Sequence, residues 1–157
     1  VRPGPMGQML HIFAEHTCRT TFDLVEHIKR QFPRQLANGM VTCYPDASGS
    51  HASTSSTESD HDILRGAGIK VVAERRNPPV AETIAHANLH IHSGAVLVNP
   101  TTCYETIQSL ENWGYDESYK PMKGGKNDLS HAGDAVRYLI LQTMPRAVAQ
   151  MNRPRWR

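Results

Sequence analysis

The chain has 157 residues, 39% of them hydrophobic and 20% charged, with a net charge of +2 and nine histidines. That composition belongs to a folded globular chain with enough sequence for a core, and it excludes a disordered one. No apolar run approaches the roughly 18 to 20 residues of a membrane span, no signal-peptide pattern opens the chain, and so small a net charge does not by itself argue for nucleic acid.

The elements follow in order. Residues 9–16 (MLHIFAEH) alternate loosely and read as a strand, one that pairs antiparallel with whatever precedes it. Thr20 and Thr21 offer N-caps for a helix whose Phe22, Val25 and Ile28 fall at helical spacing, and Pro33 and Asn38-Gly39 end that unit. Residues 40–44 (MVTCY) form a short apolar run, the pattern of a buried strand, halted by Pro45-Asp46-Ala47-Ser48-Gly49. The Ser/Thr-rich stretch 48–59 reads as an exposed loop. A short helix over 60–65 and a strand over 69–73 follow, and Asn77-Pro78-Pro79 launches a helix to about residue 92. Residues 95–98 give a strand, and Thr101 or Thr102 caps a helix carrying Tyr104, Ile107, Leu110 and Trp113. Residues 120–127 (KPMKGGKN) have the composition of a basic loop, a last helix starts near 128–130 and runs towards Met144-Pro145, and the basic tail from about 145 frays.

Strands alternating with helices imply an α/β chain with a mostly parallel central sheet flanked by helices. No repeat or composition shift marks a second domain, so residues 1–157 are expected to form one. The cysteines Cys18, Cys43 and Cys103 are odd in number and widely spaced, which points to reduced thiols in a cytosol rather than disulfides or a cysteine zinc site.

Two places hold candidate chemistry. Asp46 lies just past the C-terminal end of an expected strand, where α/β folds gather ligand-binding groups; the alternative is a turn Asp that binds its own loop amides. His131 and Asp134 stand i and i+3 on the last helix and share a face, with Asp128 at or just before its N-terminus. Carboxylates suit Mg²⁺ or Mn²⁺, and imidazole tolerates Mn²⁺. The alternative makes Asp128 a helix cap and pairs Asp134 with Arg137, while Ala132, Ala135, Val136 and Leu139 mark the core-facing stripe. His86 and His90 have zinc-compatible i, i+4 spacing but lack a following Glu and a third ligand. Ser48 and Ser50 lack the glycine that a nucleophile elbow needs, and no P-loop for ATP occurs. Lys120, Lys123 and Lys126 beside Gly124 and Gly125 have the composition to track a phosphate backbone.

Taken together, Tyr44-Pro45-Asp46-Ala47-Ser48-Gly49, then Asp60-His61-Asp62-Ile63-Leu64-Arg65 with Ala67-Gly68, then Asn77-Pro78-Pro79-Val80, and finally Asp128 with His131-Ala132-Gly133-Asp134-Ala135-Val136-Arg137-Tyr138 resemble phage terminase large subunits. The similarity spans residues 8–141. The resemblance implies an RNase H-like nuclease domain of the resolvase and integrase kind, cutting double-stranded DNA with two divalent cations, Mg²⁺ or Mn²⁺, during genome packaging. It implies Asp46 as the second-strand acid, Asp134 as the acid of the final helix, His131 beside it and Asp128 in support, with Lys120, Lys123, Lys126 and Arg137 meeting phosphates. Two ions roughly 3.5 to 4 Å apart need several anionic oxygens from converging elements. Implied partners are the terminase ATPase domain, the small terminase subunit and the portal, in the host cell cytoplasm, with the isolated domain a monomer. The family's first metal-binding Asp, on an opening strand, has no counterpart here: residues 1–6 run straight into Gly7-Gln8-Met9, no acid precedes Glu15, and the opening strand is expected to be truncated. A module of the same fold that binds DNA or docks without cutting is the alternative. A small-molecule α/β hydrolase or transferase would instead show a deep apolar pocket beside Asp46.

Overall fold

The computed structural model describes residues 2–4, 7–51, 58–114, 116–117, 122 and 128–146. Half of the Ser/Thr-rich stretch, most of the basic loop over 120–127 and the tail beyond 146 therefore lie outside the described residues. The class is mixed α/β, and no helix among the described residues is long and apolar enough to cross a membrane.

The first packed group is built from both ends of the chain. Strand β1 (Arg2–Gly4) pairs antiparallel with β2 (Gly7–Ile12), and β2 pairs parallel with β5 (Val96–Val98), Leu10 opposite Val96 and Ile12 opposite Val98. The alternation of β2 is plain: Leu10 and Ile12 are buried, whereas His11 and Phe13 face outward, as a strand period of two requires. Helices α4 (Val80–His92), α5 (Tyr104–Asn112) and α6 (Ser130–Thr143) close over the buried face. Their core includes Ala87, Val96, Cys103, Val136 and Ile140.

The second group is inserted between β2 and α4. Helix α1 (Thr21–Gln31) starts on a full capping box, in which the Thr20 hydroxyl accepts from the Asp23 amide and the Asp23 carboxylate accepts from the Thr20 amide. The chain continues through α2 (Pro33–Ala37), β3 (Thr42–Cys43), a 3₁₀ turn (Ala47–Ser50), α3 (Asp60–Gly66) and β4 (Lys70–Val71), with β3 and β4 parallel. Val25, Leu64 and Ile69 are the buried centre of this group, with Ile28, Val41 and Val71 packed against them. Helix α1 ends just before Pro33, as expected, and Pro33 then occupies the first turn of α2, where its missing N–H costs nothing.

Among the described residues, strand pairing is thus divided between a three-stranded sheet and a two-stranded one, not gathered in one central sheet. The short β3 has a local cause. Gly39 takes φ +63°, the Met40 amide bonds back to the Gln35 carbonyl at 2.9 Å, and Pro45 has no donor to extend the ladder. Met40, expected inside, is 71% exposed. The two groups meet through side chains: Phe13 lies edge-on to Phe32 at 6.3 Å, His16 stacks on His27 at 3.6 Å, and Arg146 reaches Glu74 at 2.5 Å.

Candidate functional site: the Asp46 turn and the acid face of α6

Asp46 stands at the C-terminal end of β3 and caps the 3₁₀ turn. Its Oδ1 accepts from the Ser48 amide (3.0 Å), the Ser48 hydroxyl (2.7 Å) and the Gly49 amide (3.3 Å). The turn is fixed from two further directions. The Asp46 carbonyl lies 3.1 Å from Nε2 of His61, a residue only 2% exposed. A carbonyl only accepts, so this contact requires the proton on Nε2. From the other side the Ala47 amide donates to Oδ1 of Asn77 at 2.8 Å. Gly49 is required by the same packing, because a Cβ there would sit 2.9 Å from His61 Nε2. Helix α3 is itself anchored: Ser59 caps it and donates to Asp62 at 2.6 Å, and Thr21 donates to Asp60 at 2.6 Å. The Ser59 hydroxyl, with Arg65 adding to it, holds the Asp62 carboxyl below the usual range.

His61 and Asn77 belong to segments the sequence singled out, but their contacts with the turn are tertiary and leave no periodic signal. Two cavities, of about 140 Å³ and about 540 Å³, lie elsewhere, and Asp46 lines neither.

On α6 the acids are engaged locally. Asp128 Oδ1 accepts from the Ser130 amide at 2.8 Å, capping the helix start, and its Oδ2 lies 3.7 Å from His131 Nε2. The His131 side chain is 86% exposed. Asp134 Oδ1 is 2.6 Å from Nη2 of Arg137. Arg137 was expected to meet phosphates and is instead turned inward. It is 3% exposed, donates through Nη1 to the hydroxyl of buried Thr83 on α4, and lies under the Tyr138 ring with its carbon 5.0 Å from the centroid. The buried stripe of α6 correspondingly runs through Gly133, Val136, Arg137, Ile140 and Leu141, while Ala135 is exposed. Lys120, Lys123 and Lys126 lie outside the described residues.

Sequence patterns missed one further carboxylate role. Glu15 accepts from the Glu105 and Thr106 amides at 2.7 and 2.8 Å and so caps α5 from a distance of ninety residues. Burial alone would raise its pKa, but the donated backbone bonds outweigh that and the pKa is lowered. Thr102, an expected cap, instead donates to the Phe13 carbonyl at 2.5 Å.

A two-ion centre needs donors that converge. Asp46 belongs to the inserted group and Asp128, His131 and Asp134 to the other, and among the described residues no three His, Cys, Asp or Glu side chains form a group able to hold a metal ion. One Asp134 oxygen is committed to Arg137, and one Asp46 oxygen to its own turn. Among the described residues, Asp46, Asp128, His131 and Asp134 are thus not brought together into one cation-holding group. Compared with protein-family models, curated proteins and solved structures, the chain matches none.

Proposed function

We propose that this chain is a nuclease-type domain of the terminase large-subunit kind, RNase H-like in descent, whose task is metal-dependent cutting of double-stranded DNA during genome packaging. One observation supports the reading above others: three of the four segments that carry the resemblance meet at the backbone of the Asp46 turn. His61, from the Asp60–Arg65 segment, holds the Asp46 carbonyl, and Asn77, from the Asn-Pro-Pro segment, holds the next amide. A strand-end Asp gripped from three parts of the sequence is preorganised, as a ligand-binding carboxylate needs to be. Divalent cations, duplex DNA, an ATPase domain, a small subunit and a portal are the partners this reading carries, with a place in the host cytoplasm.

A second reading has its own observation. The Asp134–Arg137 pair and the lack of convergence between Asp46 and α6 favour a module of the same descent that binds DNA or docks without cutting. Nicking of supercoiled plasmid in Mn²⁺ separates the two, tested with this chain and with one extended by an opening strand bearing an Asp. Cleavage by either, lost on Asp46→Asn, supports the nuclease. Salt-sensitive duplex binding with no cleavage by either supports the module, and neither activity overturns both.

A further inference from the structure

Helices α4, α5 and α6 line a half-open cavity of about 140 Å³ that none of the preceding roles uses. Its walls include Ile84, Ala87 and Ile91 of α4, Trp113 beyond α5, and Val136 and Arg137 of α6. A void of roughly 150 Å³ with apolar walls accepts one benzene-sized ring. The floor is rigid: at Gly133 a Cβ would come 2.6 Å from Ser109 Oγ and 2.7 Å from the Trp113 ring, so α5 and Trp113 rest on the α6 backbone itself.

Of the polar side chains of this wall, Asn88 is exposed to solvent and two others are engaged. Ser109 donates to the Leu129 carbonyl at 2.5 Å, and Trp113 Nε1 to the Met122 carbonyl at 2.6 Å. Arg137 differs. Its two terminal nitrogens are pinned to Thr83 and Asp134, which holds the guanidinium still, and its Nε–H is buried with no hydrogen-bond partner. Buried donors in folded proteins are nearly always satisfied, so an unpaired one beside a ring-sized apolar cavity marks where an acceptor is missing. The charge is already balanced by Asp134, which removes any call for an anion.

We propose that this cavity is a binding site for a neutral, planar, single-ring heteroaromatic molecule that presents one acceptor atom to Arg137 Nε. The site is independent of the nuclease reading and stands or falls separately.

Pyridine and benzene, matched in shape and differing by one acceptor, are the probes. At a pH where pyridine is neutral, both are expected to shift the methyl signals of Ile84, Ile91 and Val136, and pyridine alone to move the Arg137 Nε–H resonance downfield. Leu110→Trp, at the partly exposed rim, is expected to abolish both responses with the helical circular dichroism unchanged. Ala87→Leu, filling the cavity from inside, should do the same. If pyridine moves the methyls and leaves the Nε–H in place, solvent holds that donor and the ligand class is wrong. If neither probe acts, or the filled variants respond like the parent, the cavity is not a site.

Discussion

Asp134 and Arg137, one helical turn apart on α6, form an ion pair of 2.6 Å in which the guanidinium is 3% exposed and the carboxylate side chain 22%. Removing one partner of a buried pair leaves an uncompensated charge, at a cost of about 3 kcal/mol or more. Asp134→Ala is expected to lose that much stability in urea unfolding, and Asp134→Asn, which keeps an acceptor for Arg137, clearly less. The double variant Asp134→Ala/Arg137→Met should recover most of the loss. Equal stability of Asp134→Ala and the parent would show that the pair carries no weight. A cleavage assay on either single variant accordingly needs its melting curve alongside.

Glu15 holds the start of α5 across the first packed group. Glu15→Gln keeps an acceptor and loses the charge, whereas Glu15→Ala removes the cap and is expected to cost about 1 kcal/mol. Because its folded pKa lies below the ordinary 4.5, the stabilisation is complete above that value and is lost as pH falls through the folded one. Acid titration of parent and Glu15→Ala should therefore show curves that converge only at the acid end. Curves that run parallel throughout would dismiss the cap.

Gly49→Ala places a methyl 2.9 Å from His61 Nε2. Either the imidazole or the turn must give, and overpacking of this kind costs about 1 to 3 kcal/mol. The expected signs are a lowered melting temperature and a displaced His61 ring signal, with partial rescue by His61→Ala. An unchanged His61 signal would mean that the turn accommodates the methyl without loss.

His86 sits on α4 with its ring 4.7 Å from that of His90, and its Nε2 is buried without a partner. Burial, then the neighbouring His90 and Arg146, push its pKa below the ordinary 6.5. The fold thus prefers the neutral ring, so its contribution is intact above pH 6.5 and is lost as the pH falls through the lower folded value. His86→Phe should flatten the stability profile in that window, and a profile identical to the parent's would rule out His86 as its source.

Much of the architecture was legible where the cause is local. Thr20, one of two expected N-caps, announces α1, and Pro79 announces α4 by its position ahead of Val80. The position of Asp46 at a strand end was legible as well, and so were the cap at Asp128 and the pairing of Asp134 with Arg137 as one of two alternatives. What sequence spacing could not carry is the destination of a charge. Arg137 has an arginine's surface prior, and only Thr83, fifty-four residues away on another helix, gives it a buried partner. The Glu15 cap likewise depends on β2 running beside the start of α5. The apolar run 40–44 had strand composition, yet Gly39 and Pro45 leave room for only two paired residues.

The division of the strands into two sheets has a mechanical meaning for the acids. Residues of one continuous sheet are held in register by a ladder of backbone bonds, so the spacing between two strand ends is stiff. Among the described residues, Asp46 and α6 share no such ladder; the span between them passes through contacts such as Phe13 on Phe32, His16 on His27 and Arg146 with Glu74. Side-chain contacts of this kind yield at far lower cost than a hydrogen-bonded sheet. The separation of the two acid-bearing faces is therefore the compliant coordinate of this molecule, while the turn that grips Asp46 is the stiff one.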